Sequence, residues 1–197
     1  MRKTRTFIAV VAEGDVHDAA LVAIDGLQSA ADNVKWVGPE NLHWTLQFLG
    51  DLDDAEVADV CRRVVDAASN VTPFVLAARG VSAFPKPDRP RTLWLGAGEG
   101  GDAFCDLHAE IDNRIADLGL RGERRQFVPH LTLGRVGRAH HGGPALTDRI
   151  AQLAAFDGGS QAVREVVVFA SELTRTGPTY HPLAACGLGS SGLASSG

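Results

Sequence analysis

Two segments of the chain share a pattern in which a histidine and a threonine alternate with apolar residues. The first segment, 42–49, reads Leu-His-Trp-Thr-Leu-Gln-Phe-Leu, and the second, 130–136, begins His-Leu-Thr-Leu. Side chains alternate between the two faces of a β-strand, so the histidine and threonine of each segment share one face. The pattern predicts two strands that each pack one face in a core and carry an imidazole and a hydroxyl on the other.

The repetition carries more weight than either segment alone. The chain has 197 residues and seven histidines, and about 0.4 His-x-Thr matches are expected by chance in such a composition. A single match is best read as a structural histidine. Two matches, His43–Thr45 and His130–Thr132, both continue to leucine inside a strand pattern. Together they indicate a functional site.

The residue types suit phosphodiester chemistry. Histidine titrates near neutral pH, so one imidazole can accept a proton from water while the other donates a proton to a departing ribose oxygen. A threonine hydroxyl can donate a hydrogen bond to a non-bridging phosphoryl oxygen. Two such strands that face each other across a cleft would hold a phosphate from both sides, and this chemistry requires no metal ion or other cofactor.

Hydrophobic periodicity and turn residues divide the chain into strands and helices. The predicted strands lie at 4–12, 34–37, 42–49, 73–78, 92–95, 130–136, 163–173 and 180–188. Helices are predicted at about 15–27, 53–65, 102–118 and 146–155, with Asp15 and Asp53 as caps of the first two. Residues 4 to about 70 and about 72 to 155 each contain strands, a helix and a His-x-Thr strand, which predicts two similar lobes.

Composition limits the partners and the compartment. The formal net charge is −5 and the pI is near 5.8. These values do not favour a protein that binds long nucleic-acid duplexes, but they are compatible with a small anionic substrate or an RNA end. Cys61, Cys105 and Cys186 show neither zinc-ligand spacing nor a disulfide framework. Neither a secretory signal nor a membrane-spanning apolar run is visible in the sequence, so we expect a cytoplasmic protein.

The two motifs and the segments around them resemble the 2H phosphoesterase superfamily, and within it the LigT-like RNA 2′,3′-cyclic phosphodiesterases. The resemblance covers about residues 4–188. The segments that carry it are 5–9, 36–37, 41–50, 80, 84–85, 93–95, 127–135, 171–173, 177–178 and 180.

This resemblance implies an α+β, bilobal LigT-like fold with pseudo-two-fold symmetry, in which antiparallel sheets line a central cleft and helices pack outside. Residues 1–188 are expected to form a single domain of two similar lobes, and 189–197 a flexible tail. The implied activity is metal-independent hydrolysis of an RNA or nucleotide 2′,3′-cyclic phosphate to a 2′-phosphate by a monomer. Two alternatives stay open: 2′–5′ ligation of RNA ends, and binding of RNA ends without turnover.

Roles for the motif residues follow from the same resemblance. It implies that His43 is the proton donor and His130 the proton acceptor, while Thr45 and Thr132 bind the phosphate. The expected partners are RNA ends or nucleotides that bear a 2′,3′-cyclic phosphate, with no metal site and no cofactor.

Four further residues are candidates for substrate contact. The family places an arginine at the position of Arg135 near the phosphate, although strict alternation puts it opposite His130 unless a bulge at Gly134 turns it back. Arg5 is either a second phosphate contact or a solvated charge. Phe48 alternates with core residues and is expected in the core, whereas Phe84, in the proline-rich loop 84–90, is the better candidate for stacking on a base.

Three other patterns favour structural interpretations. The glycines of 96–101 match the spacing of a dinucleotide-binding loop, but Glu99 inside the loop would repel a pyrophosphate. We therefore interpret this segment as a turn before a helix. His140 and His141 lack a carboxylate or cysteine at ligand spacing and are read as loop histidines. The charged run 121–125 is read as a solvated loop, with an RNA-steering patch as the alternative.

Overall fold

The two His-x-Thr strands are neighbours in one antiparallel sheet. The computed structural model describes residues 3–120, 126–137, 143–174 and 177–189. These residues form nine strands, β1 (Thr4–Val11), β2 (Val34–Trp36), β3 (His43–Leu52), β4 (Phe74–Phe84), β5 (Thr92–Ala97), β6 (His130–Val136), β7 (Asp157–Val163), β8 (Glu165–Leu173) and β9 (Pro178–Gly187). They also form four α-helices, α1 (Gly14–Gln28), α2 (Asp54–Ser69), α3 (Gly101–Ile115) and α4 (Gly143–Gln152), and two short 3₁₀ helices, Pro39–Asn41 and Ala116–Leu118.

The sheet is divided into two halves at the motif strands. Its order is β7-β4-β5-β6-β3-β1-β8-β9, and β2 adds to β6. Within the described residues, the motif strands β3 and β6 are paired at one position only, Trp44 with Leu131. Two halves therefore meet at a short seam, each with its motif strand innermost: β7-β4-β5-β6 with β2 added to it, and β3-β1-β8-β9. The predicted α+β fold with antiparallel strands around a cleft is confirmed, with the difference that one continuous sheet replaces two separate ones.

The core lies between this sheet and the helices. Trp44 and Leu131 are fully buried, and the Trp44 ring lies 6.1 Å from that of Phe104 on α3. The buried face of α3 repeats at helical spacing through Phe104, Leu107, Ile111 and Ile115. The apolar residues of the motif strands therefore pack as the sequence predicts. No helix within the described ranges is long and apolar enough to cross a membrane.

Several predicted element boundaries change. Asp53 caps α2 in a full capping box with Glu56, as predicted. The prediction that Asp15 caps α1 is wrong: Glu13 occupies the N-cap position and Asp15 lies in the first turn. Strand β4 continues to Phe84, so Phe84 ends a strand and does not lie in the loop. The Gly-rich strand β7 was not predicted and pairs with β4 at the sheet edge.

A β-bulge follows the threonine of each motif strand. In the pairing of β3 with β1, Leu46 is an extra residue between two consecutive partners. In the pairing of β6 with β5, Leu133 is the extra residue. An extra residue shifts the alternation of side chains by one position. In both strands, the side chains beyond the bulge therefore face the opposite side from the one that simple alternation predicts, and the change occurs at equivalent positions.

The bulges determine where Phe48 and Arg135 lie. Each lies five residues after the histidine of its strand. Both side chains are exposed, and Phe48 has 58% of its surface accessible to solvent. Before them, Gln47 and Gly134 are buried; a Cβ on Gly134 would lie 2.7 Å from Cγ1 of Val34 on β2. The prediction that Phe48 is a core residue is wrong, because the bulge reverses the alternation on which it rested. The bulge that the sequence allowed near Gly134 is present, and it returns Arg135 to the cleft.

Candidate active site

Both motif histidines are fixed by the same backbone contact. His43 Nδ1 lies 2.7 Å from the carbonyl oxygen of Asn41, and His130 Nδ1 lies 2.7 Å from that of Val128. A carbonyl oxygen only accepts, so Nδ1 carries the donated proton in each ring. The Nε2 atoms are therefore the nitrogens available for proton exchange. The same contact, two residues before each histidine, repeats in the two halves of the sheet.

Aromatic rings hold each imidazole in place. The His43 ring lies 5.1 Å from Phe7 and 5.4 Å from Tyr180, which meets it edge-on at 88°. The His130 ring lies 5.0 Å from Phe84, also at 88°, and 6.2 Å from Trp94. Edge-to-face packing at these distances is favourable and restricts rotation. Each histidine is thus a positioned group on a rigid strand.

The surroundings lower the pKa of both histidines. Burial is the largest cause for His43; the hydrogen bond to Asn41 opposes it, and the charges of His130 and Arg135 lower the pKa further. For His130, burial again dominates over the hydrogen bond to Val128, and Arg135 adds to the lowering. Desolvation and like charges both disfavour the imidazolium. Arg135 therefore lowers the pKa of both imidazoles, and the charge of His130 also lowers that of His43.

A cavity of about 760 Å³ lies over the seam of the sheet. The predicted residues that line it are His43, Thr45, Thr132, Arg135 and Arg5. His130 and Phe84 lie outside this lining and pack against each other on the β4–β6 side. Arg135 Nη1 donates to Thr92 Oγ1 at 3.3 Å. The structure thus brings five of the predicted site residues to one cavity, while His130 and Phe84 contact each other outside its lining.

Other cleft residues were not singled out from the sequence. Phe7 shares a face of β1 with Arg5, and strand alternation is the signal that could have identified it. Tyr180 and Lys35 also line the cavity. Burial raises the pKa of Tyr180, while Arg135 and Arg5 lower it. Tyr180 comes from β9, far along the chain, so no local pattern relates it to His43.

The remaining sequence patterns have separate outcomes. Among the residues described, no group of three or more His, Cys, Asp or Glu side chains is arranged to hold a metal ion. Gly100, in the segment 96–101, has a φ of +82°, and a Cβ at this position would lie 2.0 Å from the carbonyl oxygen of Val75. The turn before α3 therefore requires glycine here. The charged run 121–125, His140 and His141 lie outside the described residues, as does the tail after Gly189.

Comparisons with known proteins agree with the geometry of the site. A protein of Methanothermobacter thermautotrophicus named RNA 2′,3′-cyclic phosphodiesterase is 38% identical over 182 residues, 90% of this chain and 95% of that protein. One of Archaeoglobus fulgidus with the same name is 34% identical over 181 residues, 91% and 97% of the two chains.

Solved structures match as well. A protein of Thermus thermophilus superposes with a TM-score of 0.78 at 27% identity, covering 94% of this chain and 98% of that one. E. coli LigT in its apo form superposes with a TM-score of 0.74 at 23% identity, covering 95% and 99%, which shows the same fold. The sequence also matches the family described as LigT-like phosphoesterases over residues 12–94 and 95–180, one segment for each motif. The predicted family is confirmed: this chain belongs to the LigT-like phosphoesterases.

Proposed function

We propose that this protein hydrolyses the 2′,3′-cyclic phosphate at the end of an RNA strand to a 2′-phosphate, without a metal ion. The observation that carries the proposal is the pair of histidines, each fixed through Nδ1 and set on adjoining strands, with His43, Thr45, Thr132 and Arg135 on the lining of one cavity. Relatives at 38% and 34% identity are named for this activity. A cytoplasmic location and a monomeric state stay predictions from the sequence.

The proposed reaction uses the two histidines as acid and base. His130 accepts a proton from water, and the water oxygen attacks phosphorus. The bond between phosphorus and the 3′ oxygen breaks, and that oxygen takes a proton from His43. The products are a 2′-phosphate and a free 3′ hydroxyl. Thr45 and Thr132 donate hydrogen bonds to the non-bridging oxygens, and Arg135 offsets their charge in the transition state.

The electrostatics of the cleft decide when the acid becomes protonated. Burial and the Arg135 charge lower the pKa of both histidines in the free protein. A bound phosphate brings negative charge beside both rings and raises both pKa values. In this mechanism substrate binding therefore promotes the protonation that His43 needs; the phosphate charge acts on both rings, and the family roles assign His130 as the neutral base.

The test of the proposal is the identity of the product in the absence of metal. We expect the protein, in EDTA, to convert cytidine 2′,3′-cyclic phosphate into cytidine 2′-phosphate, distinguished from the 3′ isomer by chromatography and ³¹P NMR. Binding without product would support an RNA-end binding module, and net joining of RNA ends without hydrolysis would support a ligase. Either result, or a requirement for metal, contradicts the proposal.

A second prediction concerns pH. We expect kcat/KM to follow a bell-shaped profile with its maximum below about 6.5, the ordinary histidine pKa. Activity falls at low pH because His130, the base, must be neutral. It falls at high pH because His43, the acid, must be protonated. The pKa of both histidines is lowered, so both limbs lie at lower pH than for ordinary histidines. In Arg135→Gln the cation that lowers both values is gone, so both limbs should move to higher pH while KM rises.

The matched control for this prediction is Arg79→Gln, which removes an exposed arginine that pairs with Asp157 at 3.2 Å outside the cavity. Its profile is expected to coincide with that of the wild type. Limbs that do not move in Arg135→Gln would contradict the assignment of the two limbs to histidines that feel this charge.

A further inference from the structure

The carbonyl oxygen that holds His43 belongs to a residue whose side chain is itself anchored. Asn41 ends the 3₁₀ helix Pro39–Asn41, and its Nδ2 donates to the carbonyl oxygen of Pro178 at 3.1 Å and to Glu40 Oε1 at 3.2 Å. An amide nitrogen carries two hydrogens, so these two bonds use both of them. The bond to Pro178 spans 137 residues of sequence and ties the turn before β3 to the first residue of β9.

The strand that this bond reaches also contacts His43. Tyr180 lies two residues after Pro178 on β9, and its ring meets the His43 ring edge-on at 5.4 Å. Asn41 therefore acts on His43 in two ways. Its own carbonyl oxygen accepts the hydrogen bond from Nδ1 at 2.7 Å, and its side chain fixes the start of the strand that carries Tyr180.

The histidine of the second motif has a different support. The residue at the matching position is Val128, whose carbonyl oxygen lies 2.7 Å from His130 Nδ1, but a valine side chain neither donates nor accepts a hydrogen bond. The neighbouring Phe127 stacks on His108 of α3, with ring centres 3.9 Å apart. The asparagine anchor is thus specific to the first motif, and its loss should affect His43 and leave His130 unchanged.

We propose that Asn41 is a positioning residue, which holds His43 in the tautomer and orientation needed to protonate the departing 3′ oxygen. A histidine that donates from Nδ1 keeps Nε2 for proton exchange, and a loosened partner on Nδ1 lets the other tautomer and other ring orientations form. Such a residue contributes by keeping the reacting group near its productive geometry. The inference rests on the proposed function for its kinetic effect, whereas its effect on the imidazole needs no substrate.

Nitrogen NMR of the free protein tests the effect on the imidazole. Above the pKa of both rings, we expect wild-type His43 and His130 to carry their proton on Nδ1. In Asn41→Ala the His43 signals should move toward a mixture of the two tautomers. His130 in the same molecule should keep its Nδ1 proton and serves as an internal reference. Unchanged His43 signals in Asn41→Ala would overturn the positioning role.

Steady-state kinetics tests the consequence for the reaction. We expect Asn41→Ala to lower kcat about tenfold and to change KM less than twofold, since the groups assigned to the phosphate stay in place. The hydrogen bond to Asn41 raises the pKa of His43. Loosening this bond should therefore move the alkaline limb of the kcat/KM profile to lower pH and leave the acid limb in place. A loss of activity with both limbs unmoved, or with both moved equally, would also overturn the role.

The charged and titratable groups around His43 are the same in the wild type and in Asn41→Ala, so a shift of one limb can be assigned to the loosened bond. These groups are Arg5 on β1, Lys35 on β2, His130 and Arg135 on β6, Tyr180 on β9, and, beside the turn, Glu40 and His17.

Two further variants complete the experiment. Asn41→Asp keeps the shape of the side chain, but a carboxylate only accepts, so it cannot bind the carbonyl oxygen of Pro178 and should lower kcat at least as much as Asn41→Ala. Full activity in Asn41→Asp would overturn the role of the amide. The matched control is Asn70→Ala, which removes an amide that donates to the carbonyl oxygen of Asp66 at 2.8 Å at the end of α2. Its kcat, its pH profile and its His43 signals should equal those of the wild type.

The two readouts also separate this inference from the proposed function. Absence of hydrolysis in the wild type would contradict the proposed function alone, because the NMR signals of His43 are recorded without substrate. Hydrolysis by the wild type together with unchanged His43 signals in Asn41→Ala would support the proposed function and overturn the positioning role of Asn41.

Discussion

Replacing His43 or His130 with alanine is expected to lower kcat for 2′,3′-cyclic nucleotide hydrolysis by about a hundred- to ten-thousandfold each. Without His130 no group at the site takes the proton of the attacking water, and without His43 the 3′ oxygen departs as an unstabilised alkoxide. KM should change much less, because Thr45, Thr132 and Arg135 still bind the phosphate. The measurement is steady-state kinetics at saturating substrate, with product quantified by chromatography.

The double variant gives the sharper test of this pair. Two groups that act in one transition state are not additive, so the loss in the double variant should be close to that of the worse single variant. His181→Ala is the control, since His181 is exposed and lies 3.5 Å from Glu172 on the β8–β9 hairpin, and its kcat should stay within twofold of the wild type. A single variant that retains most of its activity, with its fold intact by circular dichroism, would exclude that histidine from the chemistry.

The part of the site that follows local alternation could be predicted from the sequence. His43 and Thr45, like His130 and Thr132, are two residues apart, and a strand of period two puts each pair on one face whatever surrounds it. The apolar residues between them then have to face the core, which is where Trp44 and Leu131 lie. This inference needs only the strand assignment, and that assignment was confirmed.

The positions beyond each threonine could not be predicted, because they depend on contacts distant in sequence. In β3 the bulge leaves Gln47 buried, where its Nε2 donates to Asp112 Oδ1 on α3 and to the carbonyl oxygen of Leu120, both at 3.3 Å. Those partners are more than 60 residues away. Alternation alone placed Phe48 in the core, and only the bulge places it on the cavity.

The unpredicted strand β7 has a similar explanation. Its sequence, Asp-Gly-Gly-Ser-Gln-Ala-Val, is unfavourable for a strand. Gly158 is nevertheless required there, since a Cβ would lie 2.8 Å from that of Ala78 on the neighbouring strand β4. A glycine that reads locally as a turn is here a close approach between strands. Tertiary packing overrides the local preference.

The second large effect is expected on stability. Trp44 lies between His43 and Thr45 in sequence, is fully buried, and packs its ring 6.1 Å from Phe104 of α3. We expect Trp44→Ala to lower the free energy of unfolding by about 3–5 kcal/mol, because a large buried side chain is removed and the cavity closes only in part. Small domains have about 5–15 kcal/mol in total, so the variant should unfold at much lower urea concentration.

The control shows whether this loss comes from burial. Val22 on α1 is 62% exposed, and Val22→Ala should change the free energy of unfolding by less than about 0.5 kcal/mol. Because Trp44 is at the only pair that joins β3 to β6 in the described residues, Trp44→Ala should also loosen the seam and lower kcat below the wild-type value under conditions where the variant is fully folded. A loss under about 1 kcal/mol would mean that the apolar face of the motif strand does not hold the two halves of the sheet together.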